Sequence, residues 1–300
     1  MSAASSAAVT FAIPFYTGTA YLARTLASVV AQADGNWQAV VCDDGPEQGV
    51  EEIVRGCGDA RVRYLRNPRN LGMAGNFNQC LDVAETDLVT VLHADDELMS
   101  SYCGTMRAAA ARHPQAAAIF ARVAIIDERG QPRFSLTDLV KDRLINPAPD
   151  QELTLEGEAG VRALLKGNFI AAPTLCYRKS TVGARRFREG LKFVLDWEMT
   201  TGLLLDGKTL VGLPTRCYRY RRHDEAATSK YTRTQLRFHE ESAFYDEMRD
   251  QARARGWDDC VKVAAAKRFL KLNLTYRSLK SAAMLELGEA RRGFRLLREL

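Results

Sequence analysis

The chain lacks the features that would take it out of ordinary globular chemistry. Nowhere does it approach the roughly 18 consecutive apolar residues of a membrane-spanning helix. Its first residues have neither the basic start nor the apolar core of a secretory signal. Seven cysteines, at 42, 57, 80, 103, 176, 217 and 260, are odd in number and form no C-x-x-C pair. That scatter argues against a disulfide framework or a zinc ribbon and for reduced, buried thiols. Together these absences lead us to expect a cytoplasmic protein. The glycine-containing run from Asn70 to Asn78 lacks Gly-Lys-Ser/Thr and is therefore no P-loop. Gly56-Cys57-Gly58 lacks the third glycine and the strand-to-helix placement of a dinucleotide fingerprint. Excess charge is small as well. A formal +5 over 300 residues does not argue for a nucleic-acid partner. Residues 261–300 hold ten Lys/Arg against three Glu, a net +7, which leaves −2 for the first 260.

What is present is alternation. Short apolar runs at 9–13, 38–42, 61–65, 87–92 and 117–125 predict strands. Helical spacing predicts helices over 20–32, 48–55, 73–84 and 97–112. Strands alternating with helices imply a mostly parallel α/β sheet of Rossmann-like type. Beyond it, 131–155 reads as a long loop. A helix is expected over 157–166, a strand over 174–178 and a helix over 196–206. Residues 208–222 read as a hairpin, 223–230 as a polar segment of which 224–230 suits a lid, and 231–255, 258–281 and 286–299 as helices. The expected organisation is a catalytic domain over 1–230, split into a ligand-binding half at 9–130 and a second half at 131–230, with a helical extension at 231–300.

In such sheets ligands bind at the carboxyl ends of the strands. Three polar clusters fall there: Pro14 to Tyr16, Asp43-Asp44-Gly45, and His93-Ala94-Asp95-Asp96. Adjacent carboxylates repel unless a cation or solvent offsets the charge, and hard divalent cations favour such oxygens. A solvated turn or helix cap explains the same residues, and Tyr16 suits base stacking or plain packing. In the run from Asn70 to Asn78, Gly72 and Gly75 precede a helix and suggest close backbone approach to a ligand. Asp196 opens a predicted helix and by position alone reads as its cap, with Glu198 a second carboxylate in the same turn. His113, before Pro114, reads as structural.

In order and spacing these blocks resemble the family-2 glycosyltransferases with the GT-A fold, the group containing many polysaccharide and O-antigen transferases. The resemblance rests on Pro14-Phe15-Tyr16-Thr17, Gln32 with Trp37, Asp43-Asp44-Gly45, Asn70-Leu71-Gly72 with Asn78, and His93-Ala94-Asp95-Asp96. Further on, Leu195-Asp196-Trp197-Glu198-Met199 and Tyr220-Arg221-Arg222-His223 extend it. It implies an inverting transfer of a sugar from a nucleotide-sugar donor to a carbohydrate, lipid-linked or small-molecule acceptor. Pro14, Tyr16, Asp44, Asn70, Gly72, Asn78 and Asp95 would contact the donor. Asp95, Asp96 and His223 would hold Mn²⁺ or Mg²⁺ on its diphosphate, and Asp196 would be the base. His93 and Leu195 depart from the family pattern, each replacing an acidic residue. A donor-binding protein without turnover is therefore an alternative. A sugar-nucleotidyltransferase is another, although residues 13–20 lack the glycine-rich phosphate loop it needs. The basic, amphipathic C-terminal helices suit packing on the catalytic domain, a homodimer, or peripheral contact with the inner membrane face.

Overall fold

A computed structural model describes residues 8–135, 143, 145–223, 231–232 and 234–300. The expected lid at 224–230 and part of the expected loop at 131–155 lie outside them. Strand β1 (Val9–Phe15) lies inside the sheet, flanked by parallel strands on both sides. Its alternate residues Val9, Phe11, Ile13 and Phe15 join one apolar core and Ala12 the other, as expected of a strand covered by helices on both faces. The strand runs through Pro14, beyond the predicted end. Helix α1 (Thr19–Val30) buries Leu22, Leu26 and Val29 at helical spacing on the first face. Strand β2 (Trp37–Asp43), helix α2 (Val50–Arg55) and strand β3 (Val62–Arg66) follow. Helix α3 (Gly72–Val83), on the second face, leads to β4 (Leu88–Val91).

Here the expected helix over 97–112 divides. Glu97–Leu98 is a short strand, β5, and the helix α4 spans only Tyr102–Arg112. Strand β6 (Ala116–Ile126), β7 (Leu153–Leu155), helix α5 (Gly157–Lys166) and a 3-10 turn at Ala172–Thr174 come next. They are followed by β8 (Cys176–Arg178), α6 (Lys179–Val182) and α7 (Leu195–Leu205). The expected hairpin at 208–222 is instead one strand, β9 (Thr209–Arg221). The register between β6 and β9 jumps from Leu213 to Arg216, with no turn between them. Pro214 thus sits in a bulge where its missing N–H costs no ladder bond.

The sheet order is β3-β2-β1-β4-β8-β6-β9-β5, with β7 also on β9. Strands β1, β2, β3, β4, β6 and β9 run one way and β5, β7 and β8 the other. The sheet is therefore mostly parallel, as the alternation implied. Four helices close the chain: α8 (Leu236–Ala254), α9 (Asp258–Ala266), α10 (Arg268–Ala283) and α11 (Leu287–Glu299). The single helix expected over 258–281 breaks at Lys267, which adopts a left-handed φ of 47°. Its ammonium is tied to Ser242 Oγ (2.9 Å) and Asp246 Oδ2 (2.8 Å) on α8, a tertiary anchor that local periodicity does not reveal.

Candidate active site

The parallel strands β1, β2, β4 and β9 deliver their following loops to one edge of the sheet. A cleft of about 1790 Å³ opens there, lined among others by Pro14, Tyr16, His93, Asp95, Asp196 and His223. Beside it lies a smaller hollow of about 500 Å³, lined by Tyr16, Asp44, Gly45, Asn67 and Asn70. Tyr16 borders both, so the sites expected for base and diphosphate adjoin. Gly45 is required at their junction: a Cβ there would lie 1.7 Å from the Tyr16 carbonyl oxygen.

The carboxylates differ in how they are employed. Asp44, only 6% exposed, accepts from Asn67 Nδ2 (2.9 Å), Leu71 N (2.7 Å) and Gly72 N (3.0 Å). It is the acceptor for the start of α3, whose first N–H groups have no partner within the helix. Asn70 Nδ2 returns a bond to the Asp44 carbonyl (3.0 Å). Gly72, with φ 72°, makes the turn that aims its N–H at Asp44, a left-handed conformation suited to glycine. Asp43 is buried beneath, holding Tyr64 and Arg66 at 2.7 Å each. Asn78 is elsewhere: it lines neither hollow, and its amide exchanges two hydrogen bonds with the Phe187 backbone (2.9 and 2.7 Å). In the structure the Asn78 amide thus clasps α3 to the 183–190 loop.

Around Asp95 the loop after β4 is held from two sides. Thr25 Oγ1 of α1 donates to the carbonyl of Asp96 (2.7 Å). Arg221, fully buried, donates through Nε to the Asp95 carbonyl (2.7 Å) and through Nη1 to the carbonyls of Asp127 and Glu128. Its Nη2 pairs with Glu97. Because β5 pairs antiparallel with β9, with Glu97 opposite Arg219, the residues following β9 return to the Asp95 loop. His223 Nε2 then lies 2.9 Å from Asp95 Oδ2. Burial opposes the charged form of Asp95, yet the His223 hydrogen bond and the charges of His93 and His223 hold its carboxyl below the usual range. Asp96 is fully buried, accepting from Arg221 N (2.7 Å) and Tyr218 OH (3.0 Å). His93, Asp95 and Asp96 each offer an atom within 4.8 Å of the others, a set able to hold a cation. His93, which departs from the family's acidic residue, therefore still supplies a donor atom there.

Asp196 opens α7 and lines the same cleft, whereas Glu198 does not. Glu198 is engaged by Arg185 (3.3 Å), and burial outweighs the nearby arginines to raise its pKa. The start of α7 is fixed by a residue sequence reading missed. Glu240 of α8 accepts the N–H groups of Phe193 (2.7 Å), Lys192 (3.1 Å) and Val194 (3.2 Å). Trp197 packs between Phe244 and Tyr245 at 4.8 and 5.2 Å. The C-terminal helices are thus part of the site, since Tyr276, Arg277 and Lys280 of α10 also line the cleft. Arg221 and Glu240 were hidden because their partners lie far away in the chain.

Comparison with known proteins places this architecture. Residues 10–178 match the model of Glycosyl transferase family 2. An uncharacterized Mycobacterium tuberculosis protein is 27% identical over 66% of this chain and 62% of its own length. The Escherichia coli UDP-Glc:alpha-D-GlcNAc-diphosphoundecaprenol beta-1,3-glucosyltransferase WfgD is 30% identical over 29% of this chain and 35% of its own length. The chain thus spans less than two thirds of these relatives. S. aureus TarS 1-349, solved in complex with UDP-GlcNAc, superposes with a TM-score of 0.59 at 19% identity, covering 82% of this chain and 65% of that one. TarS 1-349 alone gives 0.61 at 16% identity, over 87% and 72%. These likenesses, with the sheet order above, identify the fold as GT-A.

Proposed function

Since the chain belongs to glycosyl transferase family 2, the match extending over more than half of it, we propose that it transfers a sugar from a nucleotide-sugar donor to an acceptor hydroxyl with inversion. The observation that carries this reading is the meeting of the Asp95–His223 pair and Asp196 on one cleft, beside the hollow bordered by Tyr16 and Asp44. The donor base occupies that hollow, stacked on Tyr16, which is half exposed, with Pro14 and Asn70 at its rim. Asp44 shapes the hollow through Leu71 and Gly72. The names of WfgD and of the TarS complex make UDP-sugars the first donors to try.

A divalent cation fits the donor atoms present. His93, Asp95 and His223 line the cleft, with His93 and Asp95 in reach of one ion and His223 2.9 Å from the Asp95 carboxylate, and a mixed nitrogen and oxygen set favours Mn²⁺ over Mg²⁺. When bound, the ion offsets the charge that develops on the leaving diphosphate. Asp96, expected as a ligand, is assigned here to positioning: with Arg221 and Tyr218 it fixes the backbone that carries Asp95. Asp196 accepts the acceptor hydroxyl's proton as its oxygen attacks the anomeric carbon, and the bond to the diphosphate breaks. With one base and no enzyme nucleophile, a single displacement inverts the anomeric centre. The test is Mn²⁺-dependent UDP release from a panel of UDP-sugars, with the product anomer read by NMR. Retention of configuration, or pyrophosphate from nucleoside triphosphate and sugar phosphate, would refute the reading.

A further inference from the structure

Helix α10 is apolar on two opposite faces. Leu270, Leu274 and Ser278 point inward, where Gly293 of α11 approaches so closely that a Cβ would lie 2.1 Å from Ser278 Oγ. That close packing uses up one face. On the other side Leu272, Tyr276 and Leu279 form a second stripe at helical spacing, continued by Met284, Leu285 and Leu287 around the turn into α11. These are six of the eight large hydrophobic side chains exposed among the described residues, with Leu272 at 69% and Leu285 at 82%. Such a concentration differs from the scattered apolar residues of an ordinary surface. Nothing among the described residues covers it.

Charge decides what does. Residues 261–300 carry the net +7 that the rest of the chain lacks. Lys271, Lys280, Arg291, Arg295 and Arg298 form no ion pair among the described residues. A two-fold contact between copies would set like-charged patches against each other, whereas an anionic surface satisfies both charge and apolar stripe. We propose that the α10–α11 turn docks on an anionic phospholipid bilayer, apolar stripe inserted and basic rim on the headgroups. The same helix lines the cleft through Phe269, Asn273, Tyr276 and Lys280, so docking sets the cleft mouth against the bilayer. Docking itself does not depend on the transferase reading; only its use in presenting a lipid-linked acceptor does.

The experiment is co-sedimentation of the full chain with vesicles of phosphatidylcholine alone or mixed with phosphatidylglycerol. Binding to the mixed vesicles, absent on phosphatidylcholine and weakened by salt, is the expected result. Leu279→Glu with Leu285→Glu, both outside the cleft lining, should lower partitioning at least about tenfold with an unchanged melting temperature. Equal binding to both vesicle types, no binding, or full binding by the variant would overturn the proposal. Self-association of the parent, lost in the variant without any vesicle binding, would overturn it in favour of a second copy.

Discussion

Asp44→Ala tests whether this carboxylate is structural before any donor is bound. The side chain accepts three hydrogen bonds at the head of α3 and is nearly buried. Losing a helix-capping acceptor costs about 1 kcal/mol, and losing a negative charge near a helix N-terminus about 0.5 kcal/mol. Orphaning one N–H of the buried Asn67 amide costs about 1–2 kcal/mol, while Leu71 and Gly72, less buried, recover water. The total is about 3 kcal/mol, corresponding to about 6 °C in a chain of this size. Asp44→Asn, which keeps the shape but turns a donor toward donors, should lose about 2 kcal/mol. Differential scanning calorimetry without nucleotide is the assay, paired with UDP titration by calorimetry. A melting temperature for the alanine variant within about 2 °C of the parent, the equivalent of less than about 1 kcal/mol, would refute the structural role. Asp44 would then be a donor ligand alone.

Asp196→Asn should lower kcat by about 10²–10⁴ while UDP affinity stays within a factor of about two, measured by UDP release and calorimetry; a fall below tenfold would exclude Asp196 as base. Glu240→Ala, which strips the acceptor from three N–H groups ahead of α7, should cost about 1–2 kcal/mol and lower kcat more than it raises KM; unchanged urea unfolding would remove this positioning role. Arg221→Met leaves the carbonyls of Asp95, Asp127 and Glu128 without their donor and Glu97 with Arg219 alone at 3.4 Å, so a loss of about 3–5 kcal/mol is expected, read as a lower urea midpoint. Chelation should abolish the stabilisation that UDP gives in thermal shift, Mn²⁺ restoring it in the parent but not in His223→Ala. Recovery in that variant would remove His223 from the ion.

Sequence patterning carried residues 9–92 well because each element there satisfies itself locally. The apolar runs of β1, β2 and β4 are buried on both faces, and turn residues punctuate them. Placing polar clusters after those strands led directly to the cleft. It failed where distant residues override a local signal. The stretch 208–222 looked like a hairpin until pairing with β6 made it one bulged strand, and Lys267 broke a helix because α8 captured its ammonium. Asn78 matched a motif, yet a partner more than a hundred residues away claimed its amide. The family pattern located residues; only packing showed which of them are spent on holding the site together.

Strand β8 has one more implication. Cys176–Arg178 is wedged antiparallel between β4 and β6, so within residues 9–126 only β1 to β4 pair with one another, while β5 and β6 wait for β8 and β9. During synthesis the growing polypeptide must keep the flank of β4 unpaired until residue 178 has left the ribosome, and exposed strand flanks invite mispairing. Expression fragments ending near 130 should therefore aggregate, and those reaching past 221, where β9 completes the pairing of β6 and β5, should be the first to stay monodisperse.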